Sequence, residues 1–373
     1  MKEVIFYSYG DSNNASTWSN VPYLFTKELE NCGIVVRRIN IAPNRYVAKT
    51  FDLTISKLLH FCYPKLEYHW MRTPLFRKLT EYKIKQSVKT YPNADYCIFA
   101  CFDFCNKYNG IPSMLFGDWT YSILIQDRQG RDLYSIEKKY IEQQNDAIRR
   151  AKVVVSLFPQ CAENMKQVYP QVNIHYLGSN VINNLCIQPF NLNEIVKRKI
   201  KSKSVLFIGQ KKYLTGANLL IQAMSKMHED GLDYTLDIIG MKRFDFGVLP
   251  DFVKCHGYLR KDNKKENELY YRLMYNAKVF VNSTPVWAGF SSMIEAMYFA
   301  TPIIVSPYEE FLATFGKDIS FGYYNKDFTA SSLLYCIKRV INGLDYESMC
   351  HNAHQVTKDY TWKAYIDKLM NIL

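Results

Sequence analysis

The sequence lacks several features that would place a protein in a class at once. It has no run of about 18 apolar residues, which excludes a membrane-spanning helix, and its start shows no apolar secretory leader. It contains no zinc-type cysteine spacing, no His-Glu-x-x-His pair, no Walker-type phosphate loop and no Gly-x-Ser-x-Gly elbow. With no secretory leader, its ten cysteines are expected to be reduced thiols in a cytoplasm.

What the sequence does have is length, apolar content and positive charge. Its 373 residues predict two domains of roughly 150–200 residues each. Hydrophobic residues make up 48% and charged residues 22%, which excludes a disordered or fibrous chain. The 47 Lys and Arg exceed the 35 Asp and Glu, so the net charge is +12. That surplus indicates an anionic partner, which could be nucleic acid, acidic lipid or a phosphorylated ligand.

Much of the positive charge lies in residues 45–91. This segment holds ten Lys or Arg against three Asp or Glu, a local surplus of +7, together with nine aromatic residues. Basic stems and aromatic rings suit the headgroup zone of an anionic membrane. An ordinary helical insertion with a solvated basic face fits the composition equally well. Nucleic acid is disfavoured because no recognised nucleic-acid motif accompanies the segment.

Both halves of the chain begin with the same pattern. A short apolar strand ends at a glycine, a helix follows, and a second apolar strand comes next. The first strand and glycine are Val4–Tyr7 with Gly10 in the first half, and Val205–Ile208 with Gly209 in the second. This order of elements is typical of a parallel α/β sheet.

We therefore predict an α/β protein with two Rossmann-like domains that face each other across a cleft. Ligands of such sheets bind at the carboxyl ends of the strands. The predicted boundaries are a first domain at 1–190 with 45–91 as an insertion, a polar and basic linker at 191–203, a second domain at 204–355, and a helix at 356–373 that returns to the first domain.

The most informative stretch is residues 285–297, in which a turn of small residues opens directly into a helix. Free backbone N–H groups and the positive end of the helix dipole suit a phosphate at this point. Glu295 lies about one turn into the helix, where its carboxylate could accept hydrogen bonds from sugar hydroxyls. A purely structural role for Glu295, as a cap or an ion-pair partner, is the alternative.

The second half of the sequence resembles a known family through an ordered series of motifs. These are Val205–Gly209 with Gly216–Leu220, Leu236–Gly240, His256–Leu259, Ala277–Val281 followed by Ser283-Thr284-Pro285, and Gly289–Met297 followed by Ala300–Ile304. The series is similar to that of the GT-B glycosyltransferases, most closely the family 4 type, which use nucleotide-activated sugars. The first half fits only in outline, with Asn180–Asn183 standing where the family has an Asn-Gly-Val-Asp segment.

The resemblance implies a donor site in the second domain. Its expected members are Gly209, Gln210, Lys211, Lys212, Tyr258, Gly289, Phe290, Ser291, Ser292 and Glu295. Gln210 and Thr215 stand where the family has a basic pair, and Trp287 stands where it has an acid. We expect Lys211 and Lys212 to neutralise the donor diphosphate instead.

In the first domain, the expected acceptor side of the cleft is formed by residues that follow predicted strands. These are Gly10, Asp11, Trp18, Asn20 and Trp119, with Asp118 as the catalytic residue. Asp118 would act as a base or would orient the acceptor hydroxyl. The alternative for Asp118 is a helix cap or a pairing across a loop.

The sequence thus predicts a glycosyltransferase that moves a sugar from a nucleotide-diphosphate donor, UDP-linked, to a hydroxyl of a glycan or lipid-linked acceptor. We expect retention of configuration, no metal or other cofactor, and a role in cell-surface polysaccharide or glycoconjugate synthesis. The place would be the cytoplasm or the inner face of the cell membrane, which residues 45–91 could contact. The alternative is a catalytically degenerate protein of this fold that binds glycans or serves an assembly. An epimerase is disfavoured because no paired catalytic acids can be assigned.

Overall fold

The computed structural model describes residues 1–66, 68–178, 181–182, 184–284 and 290–373, without the side chains of residues 127 and 128. The chain forms two compact units. Unit 1 comprises Met1–Ser179 and Tyr365–Leu373, and unit 2 comprises Asn180–Ala364. None of the helices in the described part of the chain combines the length and the apolar character needed to cross a membrane.

In the described part of unit 1, six parallel strands form one sheet with the order β2-β1-β3-β4-β5-β6. The strands are β1 (Glu3–Ser8), β2 (Val35–Asn40), β3 (Tyr96–Phe99), β4 (Ser113–Gly117), β5 (Val153–Ser156) and β6 (Ile174–Tyr176). The helices are α1 (Val21–Asn31), α2 (Arg45–Phe51), α3 (Lys57–Cys62), α4 (Pro74–Thr90), the single turn α5 (Tyr121–Ile123), α6 (Ser135–Arg150) and α7 (Pro159–Val168). The central strands are apolar and buried, as expected for a parallel sheet covered on both faces.

Unit 2 has a second parallel sheet, with the order β12-β11-β10-β7-β8-β9 among the described residues. Its strands are β7 (Ser204–Ile208), β8 (Thr235–Ile239), β9 (Val253–Gly257), β10 (Ala277–Asn282), β11 (Ile303–Val305) and β12 (Gly322–Tyr324). Its helices are α8 (Leu192–Lys201), α9 (Leu214–Glu229), α10 (Lys264–Asn276), α11 (Ser291–Tyr298), α12 (Glu309–Phe315), α13 (Ala330–Asn342) and α14 (Tyr346–Thr357). Helix α15 (Trp362–Met370) begins in unit 2 and continues into unit 1.

The predicted α/β class with two Rossmann-like domains is confirmed by these two sheets. At the predicted linker, 191–203, the structure has helix α8, which lies within unit 2. This segment is polar and basic overall, but Ile195, Val196 and Lys199 lie on one buried side of the helix. An amphipathic helix with a short apolar stripe therefore has the average composition of a linker.

Candidate functional site

The strand order of unit 2 reverses between β7 and β10, which are neighbours in the sheet. In open α/β sheets, ligands bind beyond the carboxyl ends of the strands at such a switch point. The loop after β7 contains Gly209 and Gln210, and the loop after β10 contains Ser283 and Thr284. The topology therefore places these two loops side by side.

Helix α9 begins in direct contact with the loop after β10. The Ser283 hydroxyl donates a hydrogen bond to the carbonyl oxygen of Gly216, at 2.9 Å. A Cβ atom on Gly216 would lie only 2.7 Å from the Thr284 Oγ1 atom. Glycine is needed here because the first turn of α9 packs tightly against the neighbouring loop.

Helix α11 starts at the same edge of the sheet. Phe290 precedes it and is buried among the rings of Tyr308, Phe311 and Phe315. The N–H groups of Met293 and Ile294 both donate to the Phe290 carbonyl, so Ser291 and Ser292 occupy the first positions of the helix. Both serines are half-buried. Gly289, another expected donor-binding residue, lies outside the described residues.

The Glu295 carboxylate is the centre of a buried polar cluster on α11, and only 2% of its side chain is exposed. The Lys261 Nζ atom donates to both of its oxygens at 2.8 Å. The Tyr270 hydroxyl donates to Oε2 at 2.8 Å, and the Tyr271 hydroxyl donates to Oε1 at 2.9 Å. Lys261 comes from the loop after β9, and the two tyrosines come from α10. We refer to these four residues as the Glu295 cluster.

Burial dominates the electrostatics of the Glu295 cluster. It lowers the pKa of Lys261 from its ordinary value, although the Glu295 charge opposes that change. Burial, followed by the Glu295 charge, raises the pKa of Tyr270 and of Tyr271, so both hydroxyls remain donors. The exposed Tyr258 also contributes to raising the pKa of Tyr270.

The loop after β7 carries both of the expected donor-binding lysines. Gln210 is exposed and precedes a single 3-10 turn formed by residues 211–213. The Lys211 side chain is 76% exposed, and its Nζ atom lies 3.8 Å from a carboxylate oxygen of Asp245. The Lys212 Nζ atom lies 4.9 Å from the ring centre of Tyr213. Both positive charges are thus on the solvent side of the loop.

In unit 1 the strand order reverses between β1 and β3. Gly10 follows β1 with a φ of +120°, a conformation that favours glycine, and a Cβ atom there would lie 2.8 Å from Thr17. The Asp11 carboxylate accepts a hydrogen bond from the N–H of Asn13 at 2.9 Å, and the Asp11 carbonyl accepts one from the Thr17 hydroxyl at 2.7 Å. Asp11 therefore shapes the turn of this loop.

The same loop then adopts an unusual backbone. Trp18, Ser19 and Asn20 have φ values of 38°, 54° and 74°, all in the left-handed region. Non-glycine residues in this region carry strain of order 1–3 kcal/mol each. The Trp18 ring packs 5.6 Å from Phe116 of β4, which connects this loop to the one after β4.

The loop after β4 holds Asp118 and Trp119, which are both half-buried. The Ser156 hydroxyl donates to the Asp118 carbonyl at 3.3 Å. The pKa of Tyr365 is raised above its ordinary value, mainly by burial. Tyr176 and the Asp118 charge add smaller contributions in the same direction. The Trp119 ring stacks on Phe158 with the ring centres 4.5 Å apart.

A buried aspartate at this edge of unit 1 was missed from the sequence. Asp103 accepts hydrogen bonds from the Tyr9 hydroxyl at 2.9 Å, the Tyr140 hydroxyl at 2.6 Å and the Gln144 side chain at 2.7 Å. Burial, followed by the Asp103 charge, raises the pKa of Tyr9. Because Tyr9 immediately precedes Gly10, Asp103 anchors the start of the loop after β1.

Comparisons by sequence alone find nothing, since neither a protein-family model nor a curated protein matches the chain. Solved structures match it over its whole length. Sucrose-phosphate synthase from Thermosynechococcus elongatus has a TM-score of 0.64 and 14% identity, and the match covers 100% of this chain and 98% of that one. A glycosyltransferase from Rickettsia africae ESF-5 has a TM-score of 0.63 and 14% identity, with 100% and 97% covered. Anabaena HepE, solved in complex with UDP and glucose, has a TM-score of 0.58 and 13% identity, with 100% of both chains covered.

The chain has the GT-B fold. Its units are the two Rossmann-like halves of that fold, and the predicted resemblance to GT-B glycosyltransferases is confirmed at this level. The GT-B fold explains why both halves of the sequence open with the same strand, glycine and helix pattern.

Within this GT-B fold, the structure brings the predicted residues together in two groups. In unit 2, the loop after β7 lies beside the loop after β10. In unit 1, Trp18 packs on β4, directly ahead of Asp118 and Trp119. The sequence analysis did not identify the partners of Glu295. Two adjacent tyrosines on α10 are the feature of the sequence that could have indicated them.

Among the described residues, no group of three or more His, Cys, Asp or Glu side chains is placed to hold a metal ion.

Residues 45–91 present a broad basic and apolar face on unit 1. Helices α2 and α3 are joined by a π-helical turn, Asp52–Ser56, into one helical run. Large apolar side chains are exposed along this run, including Tyr46 at 81%, Leu58 at 67% and Phe61 at 88%. Exposed basic residues lie among them, namely Arg45, Lys49 and Lys57. We refer to the exposed side of residues 45–62 as the basic aromatic face.

Proposed function

We propose that this chain is a glycosyltransferase that moves a sugar from a nucleotide-diphosphate sugar to a hydroxyl group of an acceptor. The observation that carries the proposal is the carboxyl edge of the unit 2 sheet, where the switch-point loops meet and α11 begins one turn before the buried Glu295 carboxylate. A helix N-terminus attracts phosphate, and a carboxylate accepts hydrogen bonds from sugar hydroxyls. The match to HepE, which was solved with UDP and glucose, supports a UDP-linked donor.

In this proposal, unit 2 binds the donor and unit 1 binds the acceptor, a glycan or a lipid-linked sugar. Asp118 is the base or the group that orients the acceptor hydroxyl, because it follows β4 near the sheet's carboxyl edge. Configuration is retained and no metal is required. The product serves cell-surface polysaccharide or glycoconjugate synthesis, and the reaction takes place in the cytoplasm or at the inner face of the membrane.

Donor binding is tested first, with a panel of nucleotide sugars and thermal unfolding as the readout. A nucleotide sugar present at about 100 times its dissociation constant should stabilise the protein by about 2.7 kcal/mol. Hydrolysis or transfer is then followed with the best ligand. If no nucleotide sugar changes the melting temperature, the proposal is contradicted.

The role of Asp118 is tested with Asp118→Asn. Turnover should fall by about a hundredfold or more because a positioned acid or base contributes that much, whereas donor affinity should not change. Asp146→Asn is the matched control, since Asp146 is exposed on α6 and pairs with Arg150 on the surface. Near wild-type turnover in Asp118→Asn would remove this residue from the mechanism.

The roles of Lys211 and Lys212 are tested with the double variant Lys211→Ala/Lys212→Ala. If the two charges neutralise the donor diphosphate, donor affinity should fall and the loss should be smaller at high salt. Lys264→Ala/Lys265→Ala, with the same change in charge on the exposed start of α10, is the control. Equal affinities in the two double variants would contradict the role.

We further propose that the basic aromatic face contacts an anionic membrane. Its exposed rings and aliphatic side chains suit the headgroup region, and its Lys and Arg residues attract acidic lipid by about 1 kcal/mol each. Lys49→Glu/Lys57→Glu should abolish binding to vesicles that contain phosphatidylglycerol. Lys138→Glu/Lys139→Glu, on the exposed side of α6, should not. Binding that is indifferent to anionic lipid would contradict this part of the proposal.

One observation favours the alternative of a catalytically degenerate protein. Gln210 and Thr215 replace two basic residues, and the charges of Lys211 and Lys212 face solvent. A protein that binds glycans without transferring sugar would show vesicle or glycan binding but no hydrolysis of any nucleotide sugar. Measurable hydrolysis by the wild type would eliminate this alternative.

A further inference from the structure

The hydrogen-bond capacity of Glu295 is fully used by groups of this chain. A carboxylate offers about four acceptor positions, two on each oxygen. Lys261 and Tyr271 donate to Oε1, and Lys261 and Tyr270 donate to Oε2. A sugar hydroxyl can therefore reach this carboxylate only by displacing one of these three residues.

Lys261 is the residue whose displacement fits a ribose. It occupies one position on each carboxylate oxygen, at 2.8 Å from both. If it moves away, each oxygen regains one acceptor position, which matches the two neighbouring hydroxyls of a ribose. Displacing Tyr270 or Tyr271 would free a position on one oxygen only. Tyr271 is also held in place because its hydroxyl accepts a hydrogen bond from the Leu185 N–H at 2.7 Å.

A displaced Lys261 ammonium would remain close to the place where phosphates are expected. Ser291 and Glu295 lie four residues apart on the same face of α11, so the start of the helix is about 6 Å from Glu295 along the axis. Lysine carries its charge on a flexible stem, unlike the planar arginine fork. The basic residues of the β7 loop are exposed, whereas only 11% of the Lys261 side chain is.

We propose that Lys261 exchanges partners when the donor binds: it leaves Glu295 to the ribose hydroxyls and pairs with the diphosphate. The exchange rests on the proposed function, since it assumes a nucleoside diphosphate at this edge of unit 2. The exchange brings a buried positive charge to the diphosphate. In the resembled family a basic pair stands at the positions that Gln210 and Thr215 occupy in this chain. In both arrangements Lys261 has an anionic partner, and the Glu295 carboxylate keeps two hydrogen bonds on each oxygen.

The experiment compares UDP with uridine by calorimetry, in the wild type and in Lys261→Gln. The variant should bind UDP about tenfold or more weakly, because a charge-assisted contact to the diphosphate is lost. Its affinity for uridine should stay the same or increase, because the ribose no longer displaces a lysine. Lys264→Gln removes the same charge from an exposed position three residues away and should change neither affinity.

The possible failures are distinguishable. If the wild type binds neither UDP nor another nucleoside diphosphate, the proposed function fails, and this inference fails with it. If the wild type binds UDP but Lys261→Gln weakens UDP and uridine equally, or changes neither, Lys261 has only a structural role. Should Lys261→Gln fail to fold, Lys261→Gln/Glu295→Gln removes both buried charges. This variant should bind uridine more weakly, because the ribose acceptor is altered, and its loss of UDP affinity should be about tenfold larger than its loss of uridine affinity. Equal losses for the two ligands would contradict the exchange.

Discussion

Each unit of this protein contains, among its described residues, a buried glutamate that accepts four hydrogen bonds, but the cation differs. In unit 1, Glu137 on α6 accepts two bonds from Arg131, at 2.7 and 2.9 Å. It also accepts bonds from the Tyr121 hydroxyl at 2.7 Å and from the Tyr134 N–H at 2.9 Å. In unit 2, Glu295 has a lysine in the place of the arginine.

The difference indicates what each cluster can do. The Arg131 guanidinium also donates to the carbonyl oxygens of Lys65 and Asp132, so it is held at several points. Burial alone would raise the pKa of Glu137, but the hydrogen bonds from Arg131 and Tyr121 outweigh it and hold the pKa below its ordinary value. A planar fork fixes geometry, whereas an ammonium on a flexible stem can change partners. We therefore interpret the Glu137 cluster as a structural brace and the Glu295 cluster as an exchangeable site.

The largest expected effect is common to both clusters. Glu137→Ala and Glu295→Ala each leave a buried cation without its carboxylate and should lower the free energy of unfolding by about 3–5 kcal/mol. Urea denaturation measures this loss. Glu163→Ala, which removes an exposed surface pair with Lys166, is the control and should change little. If either Glu137→Ala or Glu295→Ala changes the free energy of unfolding as little as the control does, that cluster does not stabilise its unit as proposed.

A smaller effect separates the two cations. Arg131→Lys keeps the charge but loses one of two parallel hydrogen bonds, and should cost about 1.5–3 kcal/mol of stability without changing UDP affinity. Lys261→Arg should instead weaken UDP binding, because a fork is harder to displace from Glu295. Calorimetry and denaturation on both variants test the contrast. Loss of UDP binding in Arg131→Lys would contradict the assignment of a purely structural role in unit 1.

Unit 2 also contains a buried cation whose described partners include no carboxylate. Lys199 donates to the carbonyls of Met274 and Ala277 and to the Thr301 hydroxyl, at 2.8–3.0 Å. Burial lowers its pKa from 10.5 to about 7, so between these values the unfolded chain binds a proton that the folded chain does not. Stability should therefore rise with pH in this window. Between about pH 7.5 and 8.5, the free energy of unfolding of the wild type should rise by about 1 kcal/mol relative to that of Lys199→Met. Urea denaturation at several pH values measures this difference. If the stabilities of the two proteins change with pH in the same way, the prediction is contradicted.

The smallest expected effect on stability is on the basic aromatic face. Phe61 is 88% exposed, so Phe61→Ser should change the free energy of unfolding by less than about 0.5 kcal/mol. The same variant should reduce binding to anionic vesicles. Phe25→Ser, at a fully buried ring of unit 1, is the contrasting control and should be strongly destabilising. A large loss of stability in Phe61→Ser would show that this ring has a structural partner.

The two sheets could be predicted from the sequence because their signals are local. An apolar strand, a glycine and an amphipathic helix follow one another within a few tens of residues, as around Val205–Gly209. The pairing of Glu295 with Lys261 and Tyr270 could not be predicted from the sequence. Both residues lie 25 or more positions before Glu295, and only the fold brings them to it. The helix at 192–201 was missed because its few apolar residues are diluted by exposed lysines. Part of the 285–297 motif, residues 285–289, lies outside the described residues.

The division of the chain has a consequence for synthesis on the ribosome. Unit 1 contains both the first residues and Tyr365–Leu373, whereas unit 2 ends at Ala364. Tyr365 is fully buried beside Phe116, and the Tyr96 hydroxyl donates to the Leu373 carbonyl at 2.6 Å. Domains generally fold as units while the chain emerges. Most of unit 1 is therefore made before unit 2, but its core stays open until residues 365–373 have been made after unit 2.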